Sequence, residues 1–321
     1  MRKLTYLEAI KEAIEINMIK NKNIIIYGEG SDPALGSFYK HGNLAKRFGN
    51  NRVFDTPLSE EAMQGIAIGC AINGTKAIMV WFRLDFILLG LDQILNHASK
   101  MNYIYNINCP LVIKTTIGVG WGQGPNHSQA FHSILAHFPG LKVVLPSNAY
   151  DAKGLMNSAI KSNSPVIFIE HKGLFNEKSR VPKINYCVEI GKAKIIKYGK
   201  DITIASYSYM TKEVLKACSF VNYDCEIIDM ISSYPLDIVT VAKSVKKTKK
   251  LIIADVDWNF LGIGSEIIAL LCKKLGNTQF SFERVGLPHV PHPTSHYLEK
   301  YLYPDYKVII KKINGLMRKK R

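Results

Sequence analysis

The first half of the chain alternates short apolar runs with longer stretches in which apolar residues recur every three or four positions. The short runs predict strands at 23–28, 52–55, 76–82, 110–117, 142–146 and 165–170. The periodic stretches predict helices at about 4–21, 60–73, 86–105, 127–137 and 149–162. Several of the strand segments are apolar throughout, which is typical of strands covered on both faces. Alternation of this kind predicts a parallel sheet with helices on both sides.

The same alternation returns after an interruption. Residues 171–191 are polar and have no clear period, and we place a linker at 176–191. Beyond it, strands are predicted at 201–208, 225–230 and 250–256, with an edge strand at 279–288, and helices at 211–221, 235–247 and 264–276. We therefore predict an α/β protein of two doubly wound domains, residues 1–175 and a smaller one at 192–321.

Composition narrows the class of protein. The chain has 321 residues, 47% of them hydrophobic, and a net charge of +16. Because its lysines are dispersed and no basic motif is interleaved with aromatics, we interpret the charge as solvated lysines and expect no nucleic acid partner. The alternative is a basic surface that docks an acidic partner protein.

Other sequence features restrict localisation and metal chemistry. No apolar run approaches the roughly 18 residues of a membrane span, and the first residues form a helical stripe instead of a signal peptide. The six cysteines form no C-x-x-C pair, so neither a zinc site nor a redox dithiol is indicated. We expect a cytoplasmic protein with reduced thiols.

The stretch DTPLSEEAMQG contains two acids at the predicted start of a helix. Ser59 is a candidate cap, and Glu60 and Glu61 each favour the helix dipole by about 0.3–1 kcal/mol. Gly65 and Gly69 follow at helical spacing, and each costs a helix about 1 kcal/mol relative to Ala, so they indicate close approach of another backbone or a ligand. Taken alone, the pattern favours an ordinary helix start.

The stretch GQGPNHSQAFHSILAH is a glycine-rich loop entering a predicted helix. His127 is expected in the first turn of that helix, as a cap or as a functional group. We interpret His132, further along, as a surface residue. The glycines lack the spacing of a phosphate-binding or dinucleotide-binding loop, and no Cys or second acid stands at metal-ligand spacing.

Several longer segments, in order along the chain, match a known family. They include RVFDTPLSE, LDQILNHASK, HSQAFHSILAHFPGLKVVLPSNAYDAKGL, SPVIFIEHK and KKLIIADVDW. With them the chain resembles the β subunit of the thiamine-diphosphate-dependent decarboxylating component of 2-oxo acid dehydrogenase complexes. The resemblance implies a pyrimidine-binding domain followed by a transketolase C-terminal-like domain.

The resemblance also implies partners. In the family, thiamine diphosphate lies between two subunits, and the α subunit holds the diphosphate and Mg²⁺ through a G-D-G motif. This chain has no G-D-G, which agrees with a β subunit in an α₂β₂ heterotetramer. A 2-oxo acid substrate and a lipoyl-bearing acyltransferase are implied as well.

Residues of this chain take roles from the family by motif position. The resemblance makes Glu60 the carboxylate that hydrogen-bonds the aminopyrimidine of the cofactor, and His127 the histidine that assists proton transfer in the active-site channel. It assigns cofactor contacts to Glu29, Leu58, Phe82 and Phe86, with Phe86 packing beneath the aminopyrimidine ring. A K⁺ site formed by backbone carbonyls is implied at Ala159–Ser164, involving Ala159, Ser162 and Ser164.

The chain departs from the pyruvate-type pattern where substrates are recognised. Arg83 and Asp85, in the stretch after the glutamate helix, form either a local ion pair or a substrate contact. The C-terminal RVGLPHVPHPTSHYLEKYLYP also differs. Two alternatives to a dehydrogenase therefore stay open: a split transketolase-like enzyme that passes the activated aldehyde to a carbonyl acceptor such as a nucleotide-linked sugar, and a non-catalytic subunit that binds a partner.

Overall fold

The computed structural model describes residues 2–31, 44–120 and 122–318. It divides into two compact units. The first unit comprises residues 1–118 and 134–190, and the second comprises 119–133 and 191–321. The segment 119–133, which carries His127, thus belongs to the second unit, although a linear division of the chain assigns it to the first.

A parallel sheet forms the centre of the first unit. Its strands are β2 (Ile24–Gly28), β3 (Val53–Phe54), β4 (Lys76–Val80), β5 (Leu111–Ile117), β6 (Lys142–Val144) and β7 (Val166–His171). They are ordered β6–β7–β5–β4–β2–β3, and every pair is parallel. All residues of β5 and β7 are buried, as expected for central strands covered on both faces. The predicted parallel sheet is confirmed.

The polar stretch read as a linker contains a strand that sequence periodicity did not reveal. β8 (Lys178–Val181) pairs in antiparallel register with β1 (Arg2–Thr5) at the start of the chain. Such a two-stranded ribbon has no continuous apolar run, because only one residue of β8 is fully buried.

Helices of this unit are α1 (Tyr6–Lys20), α2 (Leu44–Phe48), α3 (Glu60–Ile72), α4 (Met101–Tyr105) and α6 (Ala149–Lys161); α5 (His132–Ala136) begins in the second unit's segment. The helix predicted at 86–105 is wrong. That stretch is a 3₁₀ turn at Leu84–Gly90, a π turn at Gln93–Ala98, and α4. Gly90 packs against the Trp81 ring, where an added Cβ would meet the ring at 3.0 Å, so the backbone follows the ring and the regular pattern is interrupted.

The second unit is a smaller α/β domain. Its strands are β9 (Lys194–Lys197), β10 (Ile202–Ser206), β11 (Cys225–Asp229), β12 (Ser232–Tyr234), β13 (Lys250–Trp258) and β14 (Ser281–Leu287). Five of them form a sheet ordered β14–β13–β10–β11–β9, parallel except for β9. The edge strand predicted at 279–288 is confirmed as β14.

Its helices are α7 (Ser208–Cys218), α8 (Ile238–Thr248), α9 (Ile263–Leu275), α10 (His296–Leu302) and α11 (Tyr306–Arg318). The last two helices were not predicted. Within the described residues of the whole chain, no helix combines the length and the apolar character needed to cross a membrane.

Candidate active site

The acidic site of the first unit begins where β2 ends. Gly28 has φ +123°, and a Cβ there would overlap the carbonyl of Val80, so this close approach of two strands requires glycine. The next residue, Glu29, donates its backbone N–H to the Val80 carbonyl at 3.1 Å. Its side-chain Oε2 accepts the N–H of Phe82 at 3.2 Å. The Glu29 carboxyl is thereby fixed at the ends of β2 and β4.

Glu60 is the first residue of α3 and is partly buried. Its carboxyl lies close enough to that of Glu29 for the two to interact electrostatically. Burial raises the pKa of Glu29 to about 7; the Phe82 N–H opposes this rise, and the carboxyls of Glu60 and Asp55 add to it. Near neutral pH Glu29 can therefore offer either a carboxylate or a carboxylic acid to a ligand.

Of the predicted cofactor contacts, Phe82 lies next to Glu29, whereas Leu58 is exposed. Phe82 and Phe86 are partly buried, whereas the Leu58 side chain is 78% exposed on the loop before α3. Arg83 is buried, donates to the Phe82 carbonyl at 2.8 Å and lies over the Phe82 ring. Ser59 makes no side-chain capping hydrogen bond, so the cap suggested by the sequence is wrong.

Two lysine side chains donate hydrogen bonds to oxygen atoms of the stretch assigned to K⁺. Lys76 Nζ donates to the Ile160 carbonyl at 2.9 Å, and Lys142 Nζ donates to Ser162 Oγ at 3.1 Å. The Ser162 hydroxyl in turn donates to the Ser164 carbonyl at 2.9 Å, and the Ala159 carbonyl accepts the Ser162 N–H. These donors compete with a potassium ion for the same oxygens, so the K⁺ site stays a prediction.

His127 lies in the second unit, in the loop between a 3₁₀ turn at Gly124–Asn126 and α5. The prediction that it occupies the first turn of a helix is wrong, because α5 begins only at His132. Gly124 has φ +69°, and a Cβ there would overlap the Thr294 hydroxyl. The His127 loop is therefore closely packed against Thr294, and His127 itself is half-buried.

His132 is fully buried, so its assignment to the surface is wrong. Its Nε2 lies 3.0 Å from Asp255 Oδ2 and its Nδ1 3.9 Å from Asp257 Oδ2. Ser133 donates its hydroxyl to the same Asp257 oxygen at 2.6 Å. Burial lowers the pKa of His132, but the charge and hydrogen bond of Asp255 and the charge of Asp257 outweigh it and raise the pKa to about 9. His132 is thus a buried cation between two carboxylates from β13.

The second unit also contains a cavity that the sequence did not predict. It has a volume of about 320 Å³ and is lined by Pro125, Gln129, Trp258, His289, Val290, Pro291 and His292. The sequence had marked the C-terminal segment as divergent, but gave no sign that it meets the His127 loop. Within the described residues, no three His, Cys, Asp or Glu side chains are grouped to hold a metal ion.

Two family models match consecutive parts of the chain. Residues 2–178 match the model of the transketolase pyrimidine binding domain, and residues 191–309 match that of the transketolase C-terminal domain. A split-gene transketolase, described as an inactive β4 tetramer, has the same fold, with a TM-score of 0.78 over 98% of both chains at 20% sequence identity.

Three relatives match this chain over nearly the whole length of both proteins. The pyruvate dehydrogenase E1 component subunit β of Gracilaria tenuistipitata var. liui is 38% identical, over 95% of this chain and 97% of that protein. The Rickettsia conorii protein of the same name is 33% identical over 97% of each. The β subunit of the acetoin:2,6-dichlorophenolindophenol oxidoreductase of Cupriavidus necator is 36% identical, over 95% of this chain and 94% of that protein.

Proposed function

Because the chain belongs to the family of pyruvate dehydrogenase E1 β subunits and their relatives, we propose that it is the β subunit of a thiamine-diphosphate-dependent 2-oxo acid dehydrogenase. It acts with an α subunit in an α₂β₂ heterotetramer and passes the acyl group of a 2-oxo acid to a lipoyl group. The α subunit supplies the diphosphate and Mg²⁺ site, since this chain lacks the G-D-G motif.

The observation that carries the proposal is the contact between Glu29 and Glu60. Two neighbouring carboxyls at the end of a parallel sheet, with the pKa of Glu29 raised to about 7, suit a heterocycle whose ring nitrogen exchanges a hydrogen bond with an acid. The aminopyrimidine of thiamine diphosphate is such a group, so the residues fit the cofactor. When bound, thiamine diphosphate supplies a nucleophilic carbon that attacks 2-oxo acids.

The remaining roles belong to side chains of this chain. Glu60 holds a proton at the ring nitrogen, and Glu29, fixed by the Phe82 N–H, orients the Glu60 carboxyl. Phe82 and Phe86 keep water from the acid pair, which strengthens the Glu60 hydrogen bond. His127 moves a proton during transfer to the acceptor.

Turnover by the reconstituted α/β pair tests the role of Glu60. Glu60→Gln and Glu60→Ala are expected to reduce kcat by about 10²–10⁴, the usual contribution of a positioned acid–base group. The matched control is Glu61→Gln, since Glu61 is exposed in the same helical turn. Wild-type turnover by the Glu60 variants would exclude the assigned role.

A second candidate function is transfer of the activated aldehyde to a carbonyl acceptor such as a nucleotide-linked sugar. It is favoured by the departure of the C-terminal RVGLPHVPHPTSHYLEKYLYP from the pyruvate-type pattern. Reductive acylation of a lipoyl domain supports the dehydrogenase; consumption of a sugar acceptor without that acylation supports the transferase. If the α/β pair binds no thiamine diphosphate, the chain is a non-catalytic subunit.

A further inference from the structure

We infer that Tyr303 is a positioning residue for transfer to the acceptor: its hydroxyl group holds the backbone beside His127 and so fixes where that imidazole lies. The inference deepens the proposed function and rests on it, because the proton transfer assigned to His127 belongs to that function. Tyr303 itself is given no contact with substrate or cofactor.

The chain around His127 has little regular structure of its own. A 3₁₀ turn ends at Asn126, and α5 begins only at His132. Between them the backbone forms no helix or strand, so its polar groups depend on partners elsewhere in the fold. Ser128 lies in this gap and is 1% exposed. Its carbonyl oxygen therefore requires a donor from another element.

Tyr303 supplies that donor. Its hydroxyl group donates to the Ser128 carbonyl oxygen at 3.1 Å. Because Ser128 directly follows His127 in the chain, a shift of this carbonyl also moves the backbone of the histidine. Tyr303 is fixed in turn, since its N–H donates to the Glu299 carbonyl at the end of α10, at 3.1 Å.

The partners of the Tyr303 hydroxyl group determine which atoms donate. A carbonyl oxygen only accepts, so the single hydroxyl hydrogen is directed at Ser128. The hydroxyl oxygen also lies 3.2 Å from His292 Nδ1, and since its hydrogen is already used, it accepts from His292 Nδ1–H. Burial lowers the pKa of His292 to about 4, so the imidazole that makes this contact is neutral at physiological pH. His292 thereby keeps the hydroxyl hydrogen turned towards the loop.

Aromatic contacts connect the same hydroxyl group with the sheet of the second unit. The His292 ring lies 5.6 Å from the Tyr303 ring and 5.5 Å from the Trp258 ring, measured between centroids. Trp258 is the last residue of β13, and its Nε1–H donates to the Val290 carbonyl at 3.1 Å. The Ser128 carbonyl is thus linked through three side chains to a strand of the sheet.

Contacts on either side of the histidine anchor the ends of the segment. Before it, Gly120 donates its N–H to Glu299 Oε1 at 3.4 Å. After it, the Ser133 hydroxyl donates to Asp257 Oδ2 at 2.6 Å. Tyr303 acts between these two anchors, so removal of its hydroxyl group is expected to loosen the middle of the segment without releasing its ends.

Two reactions of the reconstituted α/β pair, with pyruvate as the probe, separate positioning from general damage. Reductive acylation of a lipoyl domain needs the proton transfer assigned to His127, whereas 2,6-dichlorophenolindophenol takes up electrons without that transfer. Tyr303→Phe is expected to lower kcat for acylation by about 10–100-fold, since a misplacement of about 1 Å can cost about 10²-fold. Oxidation by the dye should stay unchanged. Tyr301→Phe is the matched control and should keep both rates, because Tyr301 is 73% exposed and donates to Tyr297.

Hydrogen exchange and nuclear magnetic resonance of the full chain test the contact without turnover. Amides of residues 119–133 are expected to exchange about tenfold faster in Tyr303→Phe, because a buried carbonyl loses its donor. Tyr301→Phe should exchange like the wild type. In the wild-type chain labelled with ¹⁵N on histidine, His292 is expected in the Nδ1–H form. This last measurement decides even if Tyr303→Phe does not fold or the pair does not turn over pyruvate.

Four outcomes would overturn the inference. They are an Nε2–H tautomer of His292, unchanged exchange of 119–133 in Tyr303→Phe, undiminished acylation by that variant, and equal loss of both reactions, which a merely structural role would give. His127→Ala in the acylation assay separates this inference from the proposed function. Wild-type acylation by His127→Ala would refute the role assigned to His127 itself, whereas loss in His127→Ala with none in Tyr303→Phe would refute the positioning role alone.

Discussion

Glu29→Gln is expected to stabilise the protein at alkaline pH while impairing its function. The pKa of Glu29 is raised from 4.5 to about 7 in the folded chain. An acid with a raised pKa binds its proton more tightly in the native state, so the stabilisation it provides is complete below pH 4.5 and is lost as pH rises towards 7. Gln has the shape of the protonated acid and never ionises, so this loss does not occur in the variant.

The size of the effect follows from the shift. Each pKa unit corresponds to about 1.36 kcal/mol, which sets a ceiling of about 3 kcal/mol for the whole shift. The Glu29 carboxyl retains some hydration, so we expect about 2 kcal/mol of added stability above neutral pH. For a unit of this size that corresponds to a rise in Tm of roughly 4–8 °C.

Thermal unfolding followed by circular dichroism from about pH 5 to about pH 8.5 measures the effect. The difference in Tm between Glu29→Gln and wild type should be close to zero at the acid end and grow through neutral pH. Glu61→Gln, in an exposed position of α3, is the control and should show no such growth. A pH-independent difference, or a variant less stable than wild type at alkaline pH, would refute the reasoning.

Two further predictions concern buried charges. His132→Gln should lower the free energy of unfolding most below pH 6.5, by up to about 3 kcal/mol, and the difference from wild type should shrink as pH rises to about 9. The reason is that a His with a raised pKa contributes stability only while its folded form is protonated. His137→Gln, at an exposed position, is the control, and a pH-independent cost of His132→Gln would contradict the assigned charge. Lys114 and Glu170 are both fully buried and paired at 2.9 Å, so their substitutions should be coupled. Lys114→Met alone is expected to lower the free energy of unfolding in urea by about 3–5 kcal/mol. Adding Glu170→Gln should recover much of this loss, whereas additive losses would exclude the coupling.

The parallel sheets were predictable because their signal is local. A run such as that of β5 is apolar and β-branched over its length, and no other element suits such a run so well. The short ribbon was not predictable, since β1 and β8 gain their stability from pairing with each other. The failure at 86–105 has a similar cause, because the constraint on Gly90 comes from the Trp81 ring on another element.

For the residues of the candidate site, too, contacts between distant parts of the chain could not be predicted from the sequence. Only the family resemblance makes Glu60 the candidate acid, because its local pattern is that of an ordinary helix start, and its contact with Glu29 depends on β2 and α3 meeting in space. His132 was misassigned because the two carboxylates that keep it charged lie on β13, far along the chain. A histidine in a helical pattern carries no sign of such partners, and without them burial would favour its neutral form.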